Sequence, residues 1–522
     1  MAQSGRISRP AWLSHWPGLV AALLLVVLVF GTLLAVALRA EGGRGLGPAD
    51  WAAIRFTLWQ AVLSAGVSVV LAIPVARALA RRSFTGRTAL VTLLGAPFIL
   101  PIIVVVLGLI AVFGNKGIIS ITLSVFGFEP ISIYGYHGVI LAHVFFNLPL
   151  ATRLILQGWL SIPAERFRLA ASLGMGPTDI ARLLERPMLR EVIPGAFLVI
   201  FLICLTSFAV ALTLGGGPRA TTVELAIYEA FKFDFNLGRA ALLALIQFAM
   251  GAGGALIAFR IAMPGDMGTG LDRAVQRWDD SPIQRVMDVV FITLASLFLL
   301  LPLMMVVLNG VPGLLSLPPS VFQAAIRSLV VALGSAFLTL TLAMSIAALV
   351  VQRGAWLVEG LGYLTIAASP LVVGTGLFLI LFPFVKPSDL ALPVTALVNA
   401  AMSLPFALRA LVPALTSVER DYGALADGLG LHGLTRVRLL WLPRMRQPIG
   451  FALGLAAALS MGDLGVIAMF ADSQGVTLPL QLYRLMGAYR MEDAAAAAVL
   501  LLGLSLLLFW IFDRGGRVNA DT

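Results

Sequence analysis

The sequence predicts an all-α polytopic membrane protein of about 12 transmembrane helices, arranged as two tandem repeats. Of its 522 residues, 60% are hydrophobic and 12% are charged, and the mean hydropathy is +0.98. One core cannot bury that much apolar surface, so lipid must be the main solvent. The second observation is a series of long apolar runs, and the third is a polar stretch that occurs twice, around Gly174 and Gly430.

The apolar runs are long enough for helices to cross the hydrocarbon core, which takes about 20 residues. They lie at Pro17–Leu38, Phe56–Ala78, Ala89–Phe113, Gly138–Leu160, Val192–Leu214, Ala240–Ala262, Ile283–Leu308, Leu329–Val351, Leu361–Phe384, Leu392–Leu415, Ile449–Phe470 and Ala494–Phe512. None alternates as a barrel strand would, and lipid requires backbone groups to bond within the segment, so helices are predicted.

The first run could instead belong to a signal peptide, because Arg6 and Arg9 precede it. The apolar region of a signal peptide is about 7–15 residues long. Pro17–Leu38 is longer than that, so we expect an uncleaved membrane anchor.

The arginines predict the orientation. The net charge is +10, but no basic stripe with interleaved aromatic residues occurs, which argues against a nucleic-acid partner. Arginines cluster in the loops between runs, at Arg77, Arg81, Arg82, Arg87, Arg166, Arg168, Arg182, Arg186, Arg190, Arg273, Arg277, Arg285, Arg436, Arg438, Arg444 and Arg446. All these loops share one side if both termini are cytoplasmic, as the positive-inside rule requires.

The internal repeat predicts two parallel domains. Leu148–Arg153 matches Leu404–Arg409 at an offset of 256 (404 − 148 = 256), whereas Ala52–Arg55 matches Ala324–Arg327 at 272 (324 − 52 = 272). The second half therefore lacks 16 residues (272 − 256 = 16), which we place in the outer loop after Phe113. The predicted domains are 1–264 and 285–522, joined by a cytoplasmic linker at 265–284.

The twice-occurring polar stretches lie at 160–191 and 416–447, and both are predicted to be cytoplasmic. In each, a glycine (Gly174 or Gly430) precedes a proline (Pro187 or Pro443) by 13 residues (187 − 174 = 443 − 430 = 13). We expect the glycines to allow a sharp turn and the prolines to end the following helix. Pro177 should start that helix. Small residues could allow close packing, namely Ala170, Ala171, Ala424 and Ala426.

An amphipathic linker helix would explain one such stretch, but two copies with the same spacing favour a docking site for a soluble motor. The pattern resembles the EAA loop of binding-protein-dependent ABC importer permeases, in which Glu-Ala-Ala is followed by Gly and then Ile-x-Leu-Pro. The chain departs from it, with Arg168 and Ala424 at the Glu position, Leu169 and Leu425 at the first Ala position, and Arg186 at the final Leu position of the first copy.

Further stretches are similar to the permeases of thiamine and thiamine pyrophosphate ABC transporters. They are Leu141–Pro149, Leu214–Tyr228, Ala240–Gln247, Leu459–Asp463 and Thr477–Tyr483. The resemblance implies two tandem type I (MetI-like) permease domains in the bacterial inner membrane and import by alternating access. It also implies a periplasmic thiamine-binding protein and two copies of a cytoplasmic ATPase as partners. Relatives that carry iron(III), polyamines or sulfate remain an alternative.

We expect this chain to bind no cofactor and to be no enzyme. A phosphate-binding Walker loop needs Gly-Lys-Ser/Thr, but the three lysines are followed by Gly117, Phe233 and Pro387. ATP must then be hydrolysed by a separate subunit. Four histidines and one cysteine are scattered, so no metal site is predicted. An ion-coupled secondary transporter is the rival class, since such proteins also have parallel repeats.

Three polar residues inside apolar runs are candidate pore or substrate residues. Asp463 could face the pore and attract a cation, or it could bond to the backbone near Gly462 and Gly465. His143 and Asn147 could contact the substrate, although packing between helices is the commoner role for such residues. Outer segments at 221–239 and 477–490 could dock the binding protein, form a re-entrant cap or be surface loops.

Overall fold

The computed structural model describes residues 16–517, apart from 41–44, 96–98, 262–280, most positions between 355 and 367, and 473–474. The described chain is helical throughout and contains no strand, which confirms the predicted all-α class. The predicted linker at 265–284 lies largely outside the described residues.

The helices of the first half are α1 to α9. They are α1 (Trp16–Arg39), α2 (Pro48–Arg81), α3 (Ile102–Phe113), α4 (Tyr136–Ser161), α5 (Ala164–Ser172), α6 (Pro177–Leu205), α7 (Ala209–Leu214), α8 (Val223–Lys232) and α9 (Leu237–Ile261). Short helices at Arg87–Leu93 and Ile118–Val125 flank α3.

The second half repeats this order. Its helices are α10 (Pro282–Gly310), α11 (Pro319–Arg353), α12 (Pro370–Leu381), α13 (Ala391–Gly428), α14 (Arg446–Met461), α15 (Gly465–Phe470), α16 (Leu478–Gly487) and α17 (Met491–Arg517).

Eleven helices in the described part of the chain are long and apolar enough to span a bilayer, and they correspond to eleven of the predicted runs. The remaining run, Leu361–Phe384, begins largely outside the described residues, and its described part forms the shorter helix α12. The chain is thus a multi-pass membrane protein.

Three runs predicted as single helices are interrupted, which corrects that expectation. Ala89–Phe113 contains a helix that ends at Leu93 and a second that begins at Ile102, after Pro101. Val192–Leu214 is broken between Leu205 and Ala209, and Ile449–Phe470 between Met461 and Gly465. Hydropathy averages over such breaks because the residues on both sides are apolar.

The helices group into two compact units that do not follow the halves of the chain. The N-unit contains 41–318 and 482–502, whereas the C-unit contains 319–481 together with 1–40 and 503–522. Helix α1 therefore packs in the C-unit and α10 in the N-unit, so each repeat places its first helix in the unit built mainly from the other repeat. The boundaries 1–264 and 285–522 divide the chain by sequence repeat and stay a prediction.

Close glycine contacts hold the first helix of each repeat. A Cβ atom added to Gly108 of α3 would lie 2.5 Å from the carbonyl oxygen of Pro302 in α10. In the C-unit, a Cβ added to Gly376 of α12 would lie 2.5 Å from the carbonyl oxygen of Thr32 in α1. Small residues allow such close backbone approach in membranes, where packing rather than hydrophobic burial drives association.

These glycines also show where the second half lacks the 16 residues that the repeat offsets reveal. Helices α3 and α12 are both 12 residues long, and they match at an offset of 268 (370 − 102 = 376 − 108 = 268). Four of the 16 missing residues (272 − 268 = 4) are therefore lost before α3, and 12 (268 − 256 = 12) after it. The expectation that all were lost after Phe113 is wrong.

An ion cluster holds α10 in the N-unit. The buried Asp288 of α10 accepts hydrogen bonds from Arg81 and, at 2.8 Å, from the Nε of Arg82, both at the end of α2. A buried carboxylate with two guanidinium partners is compensated, and removal of either charge would leave the other exposed to low dielectric.

We expect Gly108→Ala and Gly376→Ala each to destabilise the protein. The added methyl group has no room beside a neighbouring backbone, and overpacking of this kind costs about 1–3 kcal/mol. The measurement is the Tm of each purified variant in detergent. Gly334→Ala is the matched control, because Gly334 is exposed on α11 and nothing lies within 4 Å of an added Cβ. Three identical Tm values would contradict the close packing.

Candidate functional site

The two polar stretches fold into the same helix–turn–helix. In the first, α5 ends before Gly174, which has φ +66°, and in the second α13 ends before Gly430, which has φ +67°. The amide after each glycine donates back to the last helical turn, Met175 N to Ala170 O at 3.0 Å and Leu431 N to Ala426 O at 2.9 Å. This is a Schellman cap, which requires the left-handed conformation that glycine adopts without strain.

The turn after each glycine starts a second helix. Pro177 is the first helical residue of α6, and the carboxylate of Asp179 accepts a hydrogen bond from Gly176 N at 3.3 Å. The predicted roles of Gly174, Gly430 and Pro177 in shaping the loop are therefore visible in the backbone. We name residues 163–187 of the first stretch loop 1 and residues 419–443 of the second stretch loop 2.

The prolines do not end the following helix as predicted. Pro187 lies inside α6, which continues to Leu205. A π-helical turn precedes it at Ala181–Glu185, and the equivalent turn at Val437–Trp441 precedes Pro443. Such a wide turn displaces the carbonyl that would clash with the proline ring. In loop 2 the helix is interrupted only at Met445, two residues after Pro443.

One alanine in each loop is buried. Ala170 is 3% exposed and Ala426, its equivalent at the 256 offset (426 − 170 = 256), is 2% exposed. The other two predicted packing residues, Ala171 and Ala424, are exposed and pack against nothing inside their own unit closely enough to bury them. Of the four alanines predicted to pack closely, only Ala170 and Ala426 are therefore buried in the fold.

The exposed face of each loop carries leucines, which the sequence reasoning missed. They recur at the 256 offset with matched exposure: Leu169 and Leu425 (60% and 62%), Leu173 and Leu429 (63% and 66%), and Leu183 and Leu439 (54% and 59%). Leucine at the same positions of both copies was the available signal. Exposed apolar patches rimmed by charge are typical of protein contact sites.

The loops are anchored by different side chains. Glu185 of loop 1 is buried and accepts from Arg77 Nε of α2 at 2.8 Å. In loop 2 the equivalent residue is Trp441 (441 − 185 = 256), whose indole N–H donates to Glu419 at 2.6 Å. Arg436 also binds Glu419 and donates to Asp427 at 2.6 Å.

The groups around Arg436 favour the charged form of its guanidinium. Burial opposes the charged form, but hydrogen bonds to Glu419 and Asp427 outweigh it and raise the pKa of the guanidinium. The equivalent residue of loop 1 is Ile180 (436 − 180 = 256), which is buried at 4% exposure. One loop is therefore pinned by an internal ion cluster and the other by apolar packing and a link to α2.

The structure places His143 and Asn147 between helices of the N-unit. His143 is buried in α4, with Nε2 2.7 Å from Ser207 Oγ and Nδ1 3.3 Å from Ser64 Oγ. Asn147 donates to His143 O at 2.8 Å and to Cys204 Sγ at 3.3 Å. These bonds give both residues a packing role, and their predicted substrate role stays a prediction.

Asp463 lies in the break between α14 and α15. Its Oδ1 accepts from Gly465 N at 3.2 Å, as the backbone alternative predicted. Its Oδ2 is buried and has no hydrogen-bond partner among the residues the structure describes. Asn399 of α13 faces this carboxylate and donates to Ser460 Oγ at 3.0 Å.

The repeat makes these two polar clusters equivalent. His143 corresponds to Asn399 (399 − 143 = 256), and Ser207 corresponds to Asp463 (463 − 207 = 256). In each half, a polar side chain from the helix before the loop thus reaches the break in the helix after it. The 256 offset relates Ser207 to Asp463 in the sequence, but nothing in the sequence indicates that His143 or Asn399 would face them.

The predicted outer segments contain two helices of ten residues each, α8 and α16. The first amide of each is bonded to a hydroxyl in the same unit: Val223 N donates to Thr57 Oγ1 at 2.9 Å, and Leu478 N donates to Ser328 Oγ at 2.8 Å. Helix α8 is mostly buried, so a surface loop is the wrong description of this segment.

Comparison with known proteins gives relatives of nearly full length. The chain is 38% identical to the thiamine transport system permease protein ThiP of Escherichia coli (strain K12), over 98% of both chains. It is 40% identical to that of Brucella abortus (strain 2308), over 97% of this chain and 96% of the relative. The chain belongs to the thiamine transport system permease family.

Membership of this permease family confirms the resemblance seen in the sequence. The match to the Haemophilus influenzae permease is 33% identical and covers 95% of both chains. A probable sulfate transport system permease protein of Helicosporidium matches only 38% of this chain, at 26% identity. No family model matches the chain.

We expect Arg436→Gln to loosen loop 2 and leave loop 1 unchanged. The substitution leaves Glu419 with Trp441 as its remaining described side-chain partner, at a cost of about 1–3 kcal/mol. Hydrogen–deuterium exchange of the amides at 419–441 should accelerate, and those at 163–185 serve as an internal control. Unchanged protection of loop 2 would show that the ion cluster does not hold it.

Proposed function

We propose that this chain is the transmembrane permease subunit of an ATP-binding-cassette importer that moves thiamine into the cytoplasm. The observation that carries the proposal is the match of nearly the whole chain, both repeats included, to thiamine transport permeases. The partners are two copies of a cytoplasmic ATPase, one on each loop, and a periplasmic thiamine-binding protein. The membrane is the bacterial inner membrane, with both termini cytoplasmic.

The loops are suited to docking because their backbones match while their anchors differ. Both have a Schellman-capped turn and a π-helical turn at equivalent positions. Both expose three leucines at matched positions. Two identical ATPase subunits require two similar surfaces, and the paired leucines supply them.

The helices beside each loop can carry force from the ATPase into the membrane. Helix α6 runs without a gap from Pro177 of loop 1 to Leu205, about 43 Å at 1.5 Å per residue. A continuous helix can transmit displacement of its cytoplasmic end to the break at Ser207. Alternating access then follows from ATP-driven movement of both loops, with substrate delivered by the binding protein from outside.

The test of this function is uptake of labelled thiamine by proteoliposomes that contain the permease, its ATPase and its binding protein. We expect Leu173→Glu plus Leu429→Glu to reduce ATP-dependent uptake and ATPase co-purification at least tenfold, because charge enters an apolar contact. Both leucines are exposed, so the folded state should tolerate the change.

Leu315→Glu is the matched control, since Leu315 is fully exposed on the predicted outer side. It should leave ATPase co-purification unchanged. Uptake driven by an ion gradient without ATP would contradict the proposed class. Uptake of sulfate, iron(III) or a polyamine but not thiamine would contradict the substrate and leave the class standing.

A further inference from the structure

Asp463 differs from three buried carboxylates of the described spans that are paired with arginines. Asp50 is paired with Arg239 at 2.8 Å, Glu185 with Arg77 at 2.8 Å, and Asp288 with Arg81 and Arg82. Asp463 has no lysine or arginine partner among the described residues, and it lies 7 residues before the end of α15 (470 − 463 = 7). At 1.5 Å per residue, that places it about 10 Å along the helix axis from the end of the span.

The carboxylate faces several donors, the Asn399 side chain and the amides of Gly465, Val466 and Ile467, but only one of its two oxygens makes a hydrogen bond of good geometry. Oδ1 caps α15 through Gly465 N, but Oδ2 is buried without a hydrogen-bond partner in the described structure. An unpaired carboxylate oxygen inside a membrane protein is costly, and such groups face substrate or ion pathways more often than lipid.

The other repeat shows that the fold does not require an acid here. The equivalent position holds Ser207, whose hydroxyl lies 2.7 Å from His143 Nε2 and forms a hydrogen bond with it. A neutral residue can therefore occupy this helix break, and capping of α15 alone does not account for the negative charge. Asn399, at the position of His143, presents an amide to the same carboxylate.

We propose that Asp463, with Asn399 beside it, forms an intramembrane site for the positively charged thiazolium ring of thiamine. This inference rests on the proposed thiamine import. A thiazolium nitrogen carries a permanent charge that no proton loss can remove, so its passage through low dielectric requires a countercharge from the protein. The free Oδ2 of Asp463 supplies it.

The experiment compares two substrates in the complete transporter. One is thiamine, and the other is its uncharged analogue with carbon in place of the ring nitrogen of the thiazolium. Asp463→Asn should lower the ratio of thiamine to analogue uptake at least tenfold, and Asp463→Glu should recover part of it. Ser207→Asn, which places the same amide side chain at the equivalent position, should leave the ratio unchanged.

A purely structural role predicts equal loss of both substrates in Asp463→Asn, and that result would overturn the site. Co-purification of the ATPase and basal ATP hydrolysis report whether the variant folds and assembles. Failure of the native complex to import thiamine at all would instead contradict the proposed function, so the two failures are distinguishable.

A second measurement tests the proposed site on the native protein, and it does not depend on whether the uncharged analogue is transported. A hydrophobic carbodiimide modifies carboxylates inside membranes, and mass spectrometry quantifies the adduct on Asp463. We expect thiamine to slow this labelling at least several-fold during ATP turnover. Labelling of Asp463 at the same rate with and without thiamine would overturn the proposal.

Discussion

Backbone groups in hydrocarbon have no water to bond, and this requirement governs the breaks in the helices that follow the loops. Where α6 ends, the carbonyls of its last turn have lost their intrahelical donors. Gln60 of α2 donates to Cys204 O at 2.9 Å, and Gln247 of α9 donates to Leu205 O at 3.0 Å. These two hydrogen bonds from buried glutamines of neighbouring helices replace the intrahelical bonds that the two carbonyl groups lose at the break.

The second half meets the same requirement from the other side of the break. Asp463 accepts the backbone amide of Gly465 at the start of α15, and beside it the Asn399 side chain donates to the Ser460 side chain in the last turn of α14. The breaks are thus conserved in position between the repeats, but their chemistry differs. One is served by the side-chain amides of Gln60 and Gln247, and the other carries a carboxylate whose Oδ2 has no hydrogen-bond partner among the described residues. Duplication preserved the mechanical element and left its polar side chains free to diverge.

The sequence predicted the features that depend on pattern and left out those that depend on contacts. Composition and run lengths were sufficient for the all-α membrane class, and the repeat located both loops and the turning glycines. The helix breaks were missed because hydropathy does not register hydrogen bonds from distant glutamines. Pro187 was misjudged because a π-helical turn relieves a clash that an ideal α-helix would have.

The sequence could not predict that α1 packs in the C-unit and α10 in the N-unit, for a different reason. Each helix occupies the expected place in its own repeat, and no local sequence feature indicates which unit it will pack in. The deciding contacts are the close approaches at Gly108 and Gly376, together with Asp288 in the N-unit. Glycines in an apolar run are visible in the sequence, but their partners are not.

The geometry of α14 links loop 2 to the acid. Glycines let it pack tightly against α17 within the C-unit: a Cβ on Gly450 would lie 2.4 Å from Phe512 O, and one on Gly516 would lie 2.6 Å from Arg446 O. A helix held this closely moves as a rod rather than bending. It spans 16 residues, or about 24 Å, from Arg446, which follows the interruption at Met445, to Met461, two residues before Asp463.

Displacement of loop 2 therefore changes the surroundings of Asp463, whose carboxylate has no lysine or arginine partner among the described residues. Loop 1 leads along α6 to a break where Ser207, hydrogen-bonded to His143, stands at the position of Asp463, so the same displacement there moves no carboxylate. Under the proposed mechanism the two loops would receive equal force from identical ATPase subunits. Only the C-unit would convert that force into a change of electrostatic environment for a cationic substrate. The two repeats would therefore have different functions in one transport cycle.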